Sequence, residues 1–342
     1  MTGTGQQKPL LSVIVPLYNC RPLIERALDA IRAQRGFAPG DVETIVVDDG
    51  STDAGADQAA GKCDRILRQP NLGAAAARNR GAADARAPIF VFIDADVVLE
   101  PGALYTLYRA LADDSGLAAA VGRYAERPVS PGLVSLYHNA FTRHHHDLSA
   151  REIDWFWGAI GAVRREPFWA AGGFDERYLG ASAEDMELGL TLSQLGARIA
   201  YCPDAEGAHG HPFSLRGMLT NDYKKAVLGM KLRLAGRLPR RAPRFASAEN
   251  VASALLLPIL LVIVAFGFVS PGAFFRAALV AAALVVVNNV FYRFLFRFFP
   301  GPSLAVAIGL HWLQLLVIMV GAAAGALGFL LRRDAYGRPG WL

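Results

Sequence analysis

The sequence is poor in cysteine throughout and poor in charge towards its end. Three cysteines stand among 342 residues, Cys20, Cys63 and Cys202, with no C-x-x-C pair. That spacing argues against a disulfide framework or a zinc site and leaves reduced thiols as the default. Met1 to Pro9 is polar and has no apolar h-region, so no signal peptide is expected and the first domain is expected to stay in the cytosol. Acidic residues are missing between Lys224 and Arg244, where Lys224, Lys225, Lys231, Arg233, Arg237, Arg240, Arg241 and Arg244 stand. No nucleic-acid-binding motif accompanies that run, which argues against nucleic acid as a partner.

What the chain has in excess is apolar residues. They make up 53% of it, with a mean hydropathy of +0.27, and the excess is local. Up to about Gly236 the composition is that of a globular protein, whereas Val251 to Leu331 is mostly apolar with a few scattered arginines. Candidate spans are Val251–Val269, Ala273–Tyr292 and Ser303–Leu331, each close to or above the roughly 20 residues that cross a bilayer core. The basic run just before them reads as a solvated linker or, by its place, as a segment facing anionic headgroups. The positive-inside rule puts that end in the cytosol. Arg293 and Arg297 then fall in the cytosol too; Arg332 and Arg333 would prefer it, which three spans forbid, so two to four spans stay open. Gly321 and Gly325 have G-x-x-x-G spacing, which lets helices approach closely but also arises by chance in so alanine-rich a segment. The expected organisation is a flexible 1–9, an α/β domain over 10–215, a basic juxtamembrane segment over 216–248, transmembrane helices over 249–331 and a tail over 332–342.

Within 10–215 short apolar runs alternate with helical patterns. Leu10–Pro16, Glu43–Val47, Arg65–Leu67 and Ile89–Ile93 read as strands; Pro22–Arg35, Ala54–Gly61 and Ala74–Ala85 read as helices. This is the signature of βαβ units and a mostly parallel sheet. Ligands bind outside the carboxyl ends of such strands, and there the sequence places Tyr18-Asn19, Asp48-Asp49 and Asp94-Ala95-Asp96. Further on, Gly102–Ala112 and Glu184–Leu195 read as helices and Ala118–Tyr124 and Gly158–Arg164 as strands, while His144-His145-His146 reads as a solvated loop or surface helix. Two carboxylates one residue apart reach the same side only where the chain turns, as it can after Ile93. One can then ligate a divalent cation that bridges two phosphates while the other holds ribose or water.

Alone, Asp-x-Asp is a weak signal. In order, however, stand Ser12 to Asn19 (SVIVPLYN), Ile45 to Asp53 (IVVDDGSTD), Asn71-Leu72-Gly73 with Arg78-Asn79, and Phe92-Ile93-Asp94-Ala95-Asp96. Gly172-Gly173-Phe174-Asp175-Glu176 and Glu184-Asp185 follow. From Leu10 to about Pro212 the chain thus closely resembles the family 2 glycosyltransferases of the GT-A fold. The resemblance implies that Pro16 and Tyr18 line a base pocket, that Asp49 accepts hydrogen bonds from the base, and that Asp48 supports the turn; helix capping is the plainer role for Asp49. It implies Arg78 beside the nucleotide, a surface ion pair being the alternative. It implies Asp96 as ligand to Mg²⁺ or Mn²⁺ and Asp94 on ribose or metal, with His209 or His211 as a further ligand.

Inverting transfer needs one carboxylate to take the acceptor's proton. The family's Glu-Asp pair at a helix start matches Glu184-Asp185, which makes Asp185 the expected base and Glu184 its backup, although acidic residues favour helix N-termini in any case. Gly172 to Asp175 resembles the loop under the acceptor site, and Trp155 and Trp157 are expected to stack on a ligand or to fill the core. The Gln-x-x-Arg-Trp motif of processive members such as cellulose and chitin synthases is missing between Asp185 and Val251, which favours transfer of one or a few sugars. The expected reaction moves a sugar from a nucleoside-diphosphate sugar, UDP-hexose before GDP-mannose, to a membrane lipid or lipid-linked glycan. The expected place is the inner membrane, multi-pass, with the catalytic domain cytosolic. The rivals are a processive polysaccharide synthase and a catalytically inactive membrane scaffold.

Overall fold

The computed structural model describes residues 8–178, 183–237, 248–268, 270 and 272–331. Arg240, Arg241, Arg244, Arg332 and Arg333, and with them part of the expected basic segment and the tail, lie outside the described residues. Three parallel pairings form the first half of the sheet. Strand β1 (Leu11–Leu17) lies between β2 (Val42–Asp48) and β4 (Ile89–Ile93), with β3 (Arg65–Arg68) outside β2. Helices α1 (Arg21–Arg32), α2 (Gly55–Ala59) and α3 (Ala74–Asp84) make the crossovers. The strands are short, β-branched and buried on both faces, as a sheet covered by helices on each side requires.

Past β4 the chain turns into the short β5 (Val97–Leu99) and α4 (Ala103–Asp113), and the sheet becomes mixed. Its order is β3-β2-β1-β4-β8-β6-β9-β5, where β6 is Leu117–Tyr124, β8 Ile160–Arg164 and β9 Arg198–His209. The small β7 (Glu152–Ile153) pairs with β9. Thus β8 runs antiparallel to β4 and β6, while β6 and β9 are parallel. The expected α/β architecture with its parallel sheet is present; β6 and β8 fall on the expected Ala118–Tyr124 and Gly158–Arg164, while the sequence pattern did not show β5, β7 or β9. Between β8 and β9 come α6 (Arg165–Ala170) and α7 (Glu184–Gln194). Helix α7 approaches so closely that a Cβ on Gly189 would stand 2.1 Å from the backbone nitrogen of Phe156. This contact fixes where α7 begins, and so where Glu184 and Asp185 sit.

The histidine triplet corrects the reading above. It lies in α5 (Leu133–Asp147), but His144, His145 and His146 are 8%, 3% and 3% exposed. Neighbours cover α5 on several sides. The His144 ring packs on Phe291 and Phe294, His145 on Phe141, and His146 on Trp155 and Trp157. Burial pushes the pKa of His145 down to about 4 and that of His146 to about 3.

After α8 (Leu215–Leu234), which covers part of the basic run, come α9 (Ala248–Gly267), α10 (Gly272–Val287), α11 (Asn289–Phe296) and α12 (Ser303–Leu331). Among the described residues, α9 and α12 are long and apolar enough to cross a membrane. The second expected span, Ala273–Tyr292, is not one straight helix: α10 and α11 meet at a 74° bend. The break falls at Asn288, whose amide donates to Ser253 Oγ and to the Leu284 carbonyl at 2.7 and 2.8 Å. Alone, α10 extends about 24 Å, short of a bilayer core of about 30 Å. Helix α11 turns its Phe291 against Phe141 and His144 of α5, and Arg297 beyond it pairs with Glu126 at 2.7 Å.

The glycine pair of α12 has an occupant. A Cβ on Gly321 would lie 2.8 Å from the Tyr223 carbonyl, and one on Gly325 2.4 Å from that of Val227. So α8 runs along α12 in the same direction, seated on its glycines. Replacing Gly189 by Ala is expected to push α7 off the strand region and to destabilise the protein by about 1–3 kcal/mol; thermal unfolding of the variant beside wild type measures this.

Candidate active site

The polar clusters anticipated at the strand ends lie side by side at the carboxyl edge of the sheet. After Ile93 the chain reverses through a turn closed by the Val97 amide, which donates to the Asp94 carbonyl at 3.0 Å. The turn brings both carboxylates of Asp94-Ala95-Asp96 to the carboxyl end of the sheet. The centre of the arrangement is Arg78 on α3, 3% exposed. Its Nη2 donates to Asp94 Oδ1 and its Nη1 to Glu184 Oε1, both at 2.8 Å. The guanidinium lies 5.3 Å from the centre of the Phe174 ring, and a Cβ on Gly158 would stand 3.0 Å from its Cζ. Arg78 is therefore neither a surface ion pair nor exposed toward a ligand. It is a buried cation that joins β4, α3 and α7.

That pairing separates the two members of the Glu-Asp motif. Glu184 is 2% exposed and bonded to Arg78. Asp185 has no cation bonded to it among the described residues: its Oδ2 accepts from the Gly158 amide at 3.2 Å and its Oδ1 from the Met186 amide at 2.7 Å. Burial, then the negative charge of Glu184, push its pKa up to about 7, against the opposing pull of Arg78.

Asp96 faces the other way. Its Oδ2 lies 3.4 Å from His209 Nε2. Burial holds the His209 pKa down to about 3, which keeps its imidazole neutral and able to ligate a cation. His211 is exposed, its ring 6.4 Å from that of His209, and its charge bears on Asp96. Burial also raises the pKa values of Asp94 and Asp96. Among the described residues no three His, Cys, Asp or Glu side chains gather into a ready metal set. Asp96 and His209 nevertheless fit a cation held jointly with a diphosphate, since such ions take one or two protein carboxylates and complete their shell with phosphate oxygens and water.

At the carboxyl end of β1, Tyr18 is 50% exposed, while Pro16 is half-buried. Asp48 accepts from the Ser51 amide at 2.9 Å, which supports the turn. Asp49 is 3% exposed and accepts three protein hydrogen bonds, from Gln69 Nε2 at 2.8 Å and from the Leu72 and Gly73 amides at 2.9 Å. Its carboxylate organises the Asn71-Leu72-Gly73 turn ahead of α3, neither capping α2 nor standing open to a base. Asn79 clamps the Gly172-Gly173-Phe174 loop, accepting from the Phe174 amide at 2.9 Å and donating to its carbonyl at 2.8 Å. A cavity of about 410 Å³ opens behind this loop, lined by Asn79, Phe174, Glu187, Thr191 and Arg237 among others. Its lining does not include Arg78, Asp96 or Asp185.

Sequence reasoning missed Tyr124. Its hydroxyl pKa is pushed well up by burial and then by the negative charges of Asp96, Asp94 and Asp185. Its ring packs on Trp157 and His209 at 4.6 and 4.9 Å. No motif marks it; only the pairing of β6 with β9, Tyr124 beside Gly207, brings it there. Trp155, at 1% exposure, belongs to the core.

Residues 12–171 match the family described as Glycosyl transferase family 2. The chain carries a family 2 glycosyltransferase domain. Validoxylamine A glucosyltransferase of Streptomyces hygroscopicus subsp. limoneus is 33% identical over 57% of this chain and 50% of its own. Pre-mycofactocin glycosyltransferase of Mycobacterium tuberculosis is 30% identical over 73% of this chain and 53% of its own. The chain thus spans about half the length of the curated relatives it matches. Among solved structures, the mannosyltransferase PcManGT from Pyrobaculum calidifontis, in complex with GDP-Man and Mn²⁺, covers 94% of this chain and 87% of its own. Its TM-score is 0.57 at 22% sequence identity, a likeness of fold that extends over the C-terminal helices.

Arg78→Met would leave the buried Glu184 and the half-buried Asp94 without this cation. The expected loss is about 3–5 kcal/mol, read as a fall in denaturation midpoint on chemical unfolding.

Proposed function

We propose that this chain is an inverting glycosyltransferase that moves one sugar from a nucleoside-diphosphate sugar to a hydroxyl of a membrane lipid or lipid-linked glycan. One observation carries the reading. Asp185, with its pKa at about 7, shares a crevice with Asp94, Asp96 and His209, while Glu184 is neutralised by Arg78. This divides the carboxylates between a proton acceptor and a donor-binding group.

In the proposed reaction the acceptor oxygen attacks the anomeric carbon as its proton passes to Asp185. The bond from that carbon to the diphosphate oxygen breaks, and the nucleoside diphosphate leaves. A base with pKa near the working pH suits this proton transfer. Asp96 and His209, with His211 at the rim, would hold Mg²⁺ or Mn²⁺, which when bound supplies positive charge to the leaving diphosphate. Asp94, oriented by Arg78, would face ribose or metal. Tyr18 and Pro16 would flank the base, with Asp48 and Asp49 shaping the loop beneath it.

The donor proposed first is a UDP-hexose, with GDP-mannose second; the glucosyl transfer named for the Streptomyces relative supports a hexose. The lipid acceptor is supported by the apolar α9 and α12 and by the docking of α11 on α5 beside the catalytic domain, which would confine enzyme and acceptor to one surface. The domain boundaries of the sequence reading and the inner-membrane, multi-pass placement with a cytosolic catalytic domain belong to the same proposal. A small water-soluble acceptor is the second reading, favoured by the validoxylamine A relative.

The test is nucleoside-diphosphate release from a panel of sugar nucleotides, with and without Mn²⁺, followed by partition of the labelled product between organic and aqueous phases. Label in the organic phase supports the lipid acceptor; label in the aqueous phase supports the second reading. Release from no donor overturns the enzyme reading. Asp185→Asn is expected to lower kcat by about 10²–10⁴-fold. Because Asp185 acts only when ionised, kcat/KM should rise with pH through about 7 and level off above. An Asp185→Asn variant whose residual rate keeps the same rise would assign that ionisation elsewhere.

A further inference from the structure

Three helices meet at a polar knot inside an otherwise apolar cluster. The hydroxyl of Tyr137 on α5 donates to Gln314 Oε1 on α12. Gln314 Nε2 donates to Asp222 Oδ2 on α8 at 2.8 Å, and Asn221 Nδ2 donates to Asp222 Oδ1 at 3.1 Å. His138, next to Tyr137, has its Nε2 3.8 Å from the same Oδ1. Gln314 is 1% and Asp222 7% exposed, among Met218, Phe291, Leu295, Ala307 and Leu310. A carboxylate buried in such surroundings is strongly unfavourable unless it is bonded on several sides. Its partners here come from α5 and α12 as well as from its own helix.

A chain of contacts leads from the knot to the active site. The His138 ring packs on Phe213 with centroids 4.2 Å apart. Phe213 in turn stacks on His209 at 5.8 Å and 20°, and His209 faces Asp96 at 3.4 Å. The backbone of the same stretch is pinned as well. Phe213 N donates to Ser135 Oγ at 2.9 Å, and Gly210 N to the Asp96 carbonyl at 2.6 Å. Every link from Gln314 to Asp96 is a hydrogen bond, a close polar contact or a packed ring.

We propose that Asp222, held by Gln314 of α12 and facing His138, is a positioning residue for the His209–Asp96 pair. The affinity of the crevice for a divalent cation with a nucleoside diphosphate then depends on α12 being seated on α8. The glycine contacts at Gly321 and Gly325 supply that seat, and the knot transmits it. The idea rests on the metal reading proposed above, and none of the knot residues touches the reacting atoms.

The test measures Mn²⁺ binding to the full chain in detergent, by electron paramagnetic resonance of free Mn²⁺, with UDP and with GDP in turn. Gln314→Leu and Asp222→Leu should weaken binding about tenfold, the lower end of what loss of a group orienting a metal-ligating histidine costs. Asp222→Asn keeps an acceptor for Gln314 and should restore binding close to wild type. Unchanged Mn²⁺ affinity in the Leu variants, with only the melting temperature lowered, makes the knot a structural element and overturns the proposal. Should the Leu variants fail to fold, His138→Phe decides: it keeps the ring on Phe213 but loses the contact to Asp222. Weakened binding there sustains the proposal, and wild-type binding overturns it. Wild-type protein that binds no Mn²⁺ with either nucleotide overturns the metal reading and this inference with it. Bound Mn²⁺ with indifferent variants overturns this inference alone.

Discussion

A buried guanidinium organises the catalytic half of this protein. Arg78 sits where water does not reach and bonds Asp94 and Glu184 at equal distance. In a low-dielectric setting an ion has to be matched by partners of good geometry, or the segment carrying it does not stay. The match here joins segments 16 and 106 residues away from Arg78. It also distributes roles. Asp94 and Glu184 are oriented and neutralised, which leaves Asp96 to face His209 and Asp185 to hold its proton unusually tightly. The absence of a side chain at Gly158 and the face of Phe174 make the space that the cation needs.

The junction with the apolar helices obeys a different logic. Between α5 and α11 the contact is largely aromatic, with buried histidines among the rings. Neutral imidazoles are the form such surroundings favour, which is why burial lowers the pKa of His144, His145 and His146. Between α8 and α12 the contact is a close approach of backbones permitted by glycine. The catalytic domain thus meets the C-terminal helices through α5, while α8, which follows the segment carrying His209, His211 and Phe213, holds α12.

Much of the site was legible one-dimensionally. The strand ends of β1, β2 and β4 and the start of α7 could be read from apolar runs and from the polar residues that stop them, because both signals are local. Asp94 and Asp96 were candidates on that basis, while Asp185 and His209 were candidates through the resemblance to the family. The roles of Arg78, Asp49 and the histidine triplet were not legible, since each depends on what packs against the residue. Arg78 read as a nucleotide contact or surface pair, Asp49 as a base contact or cap, and His144 to His146 as solvated. Burial by distant segments changed all three.

Local chemistry in the sequence by itself thus determined the element order up to β4, the parallel half of the sheet, the carboxylates at its edge and the apolar character of the last helices. Tertiary structure alone decided which carboxylate of the Glu184-Asp185 pair is bonded to Arg78, that His209 rather than His211 touches Asp96, that Tyr124 packs on His209, and that Gly321 and Gly325 receive α8. The reason is physical. Periodicity and turn chemistry act over a few residues, while desolvation, ion pairing and close backbone approach depend on neighbours that only the folded chain brings together.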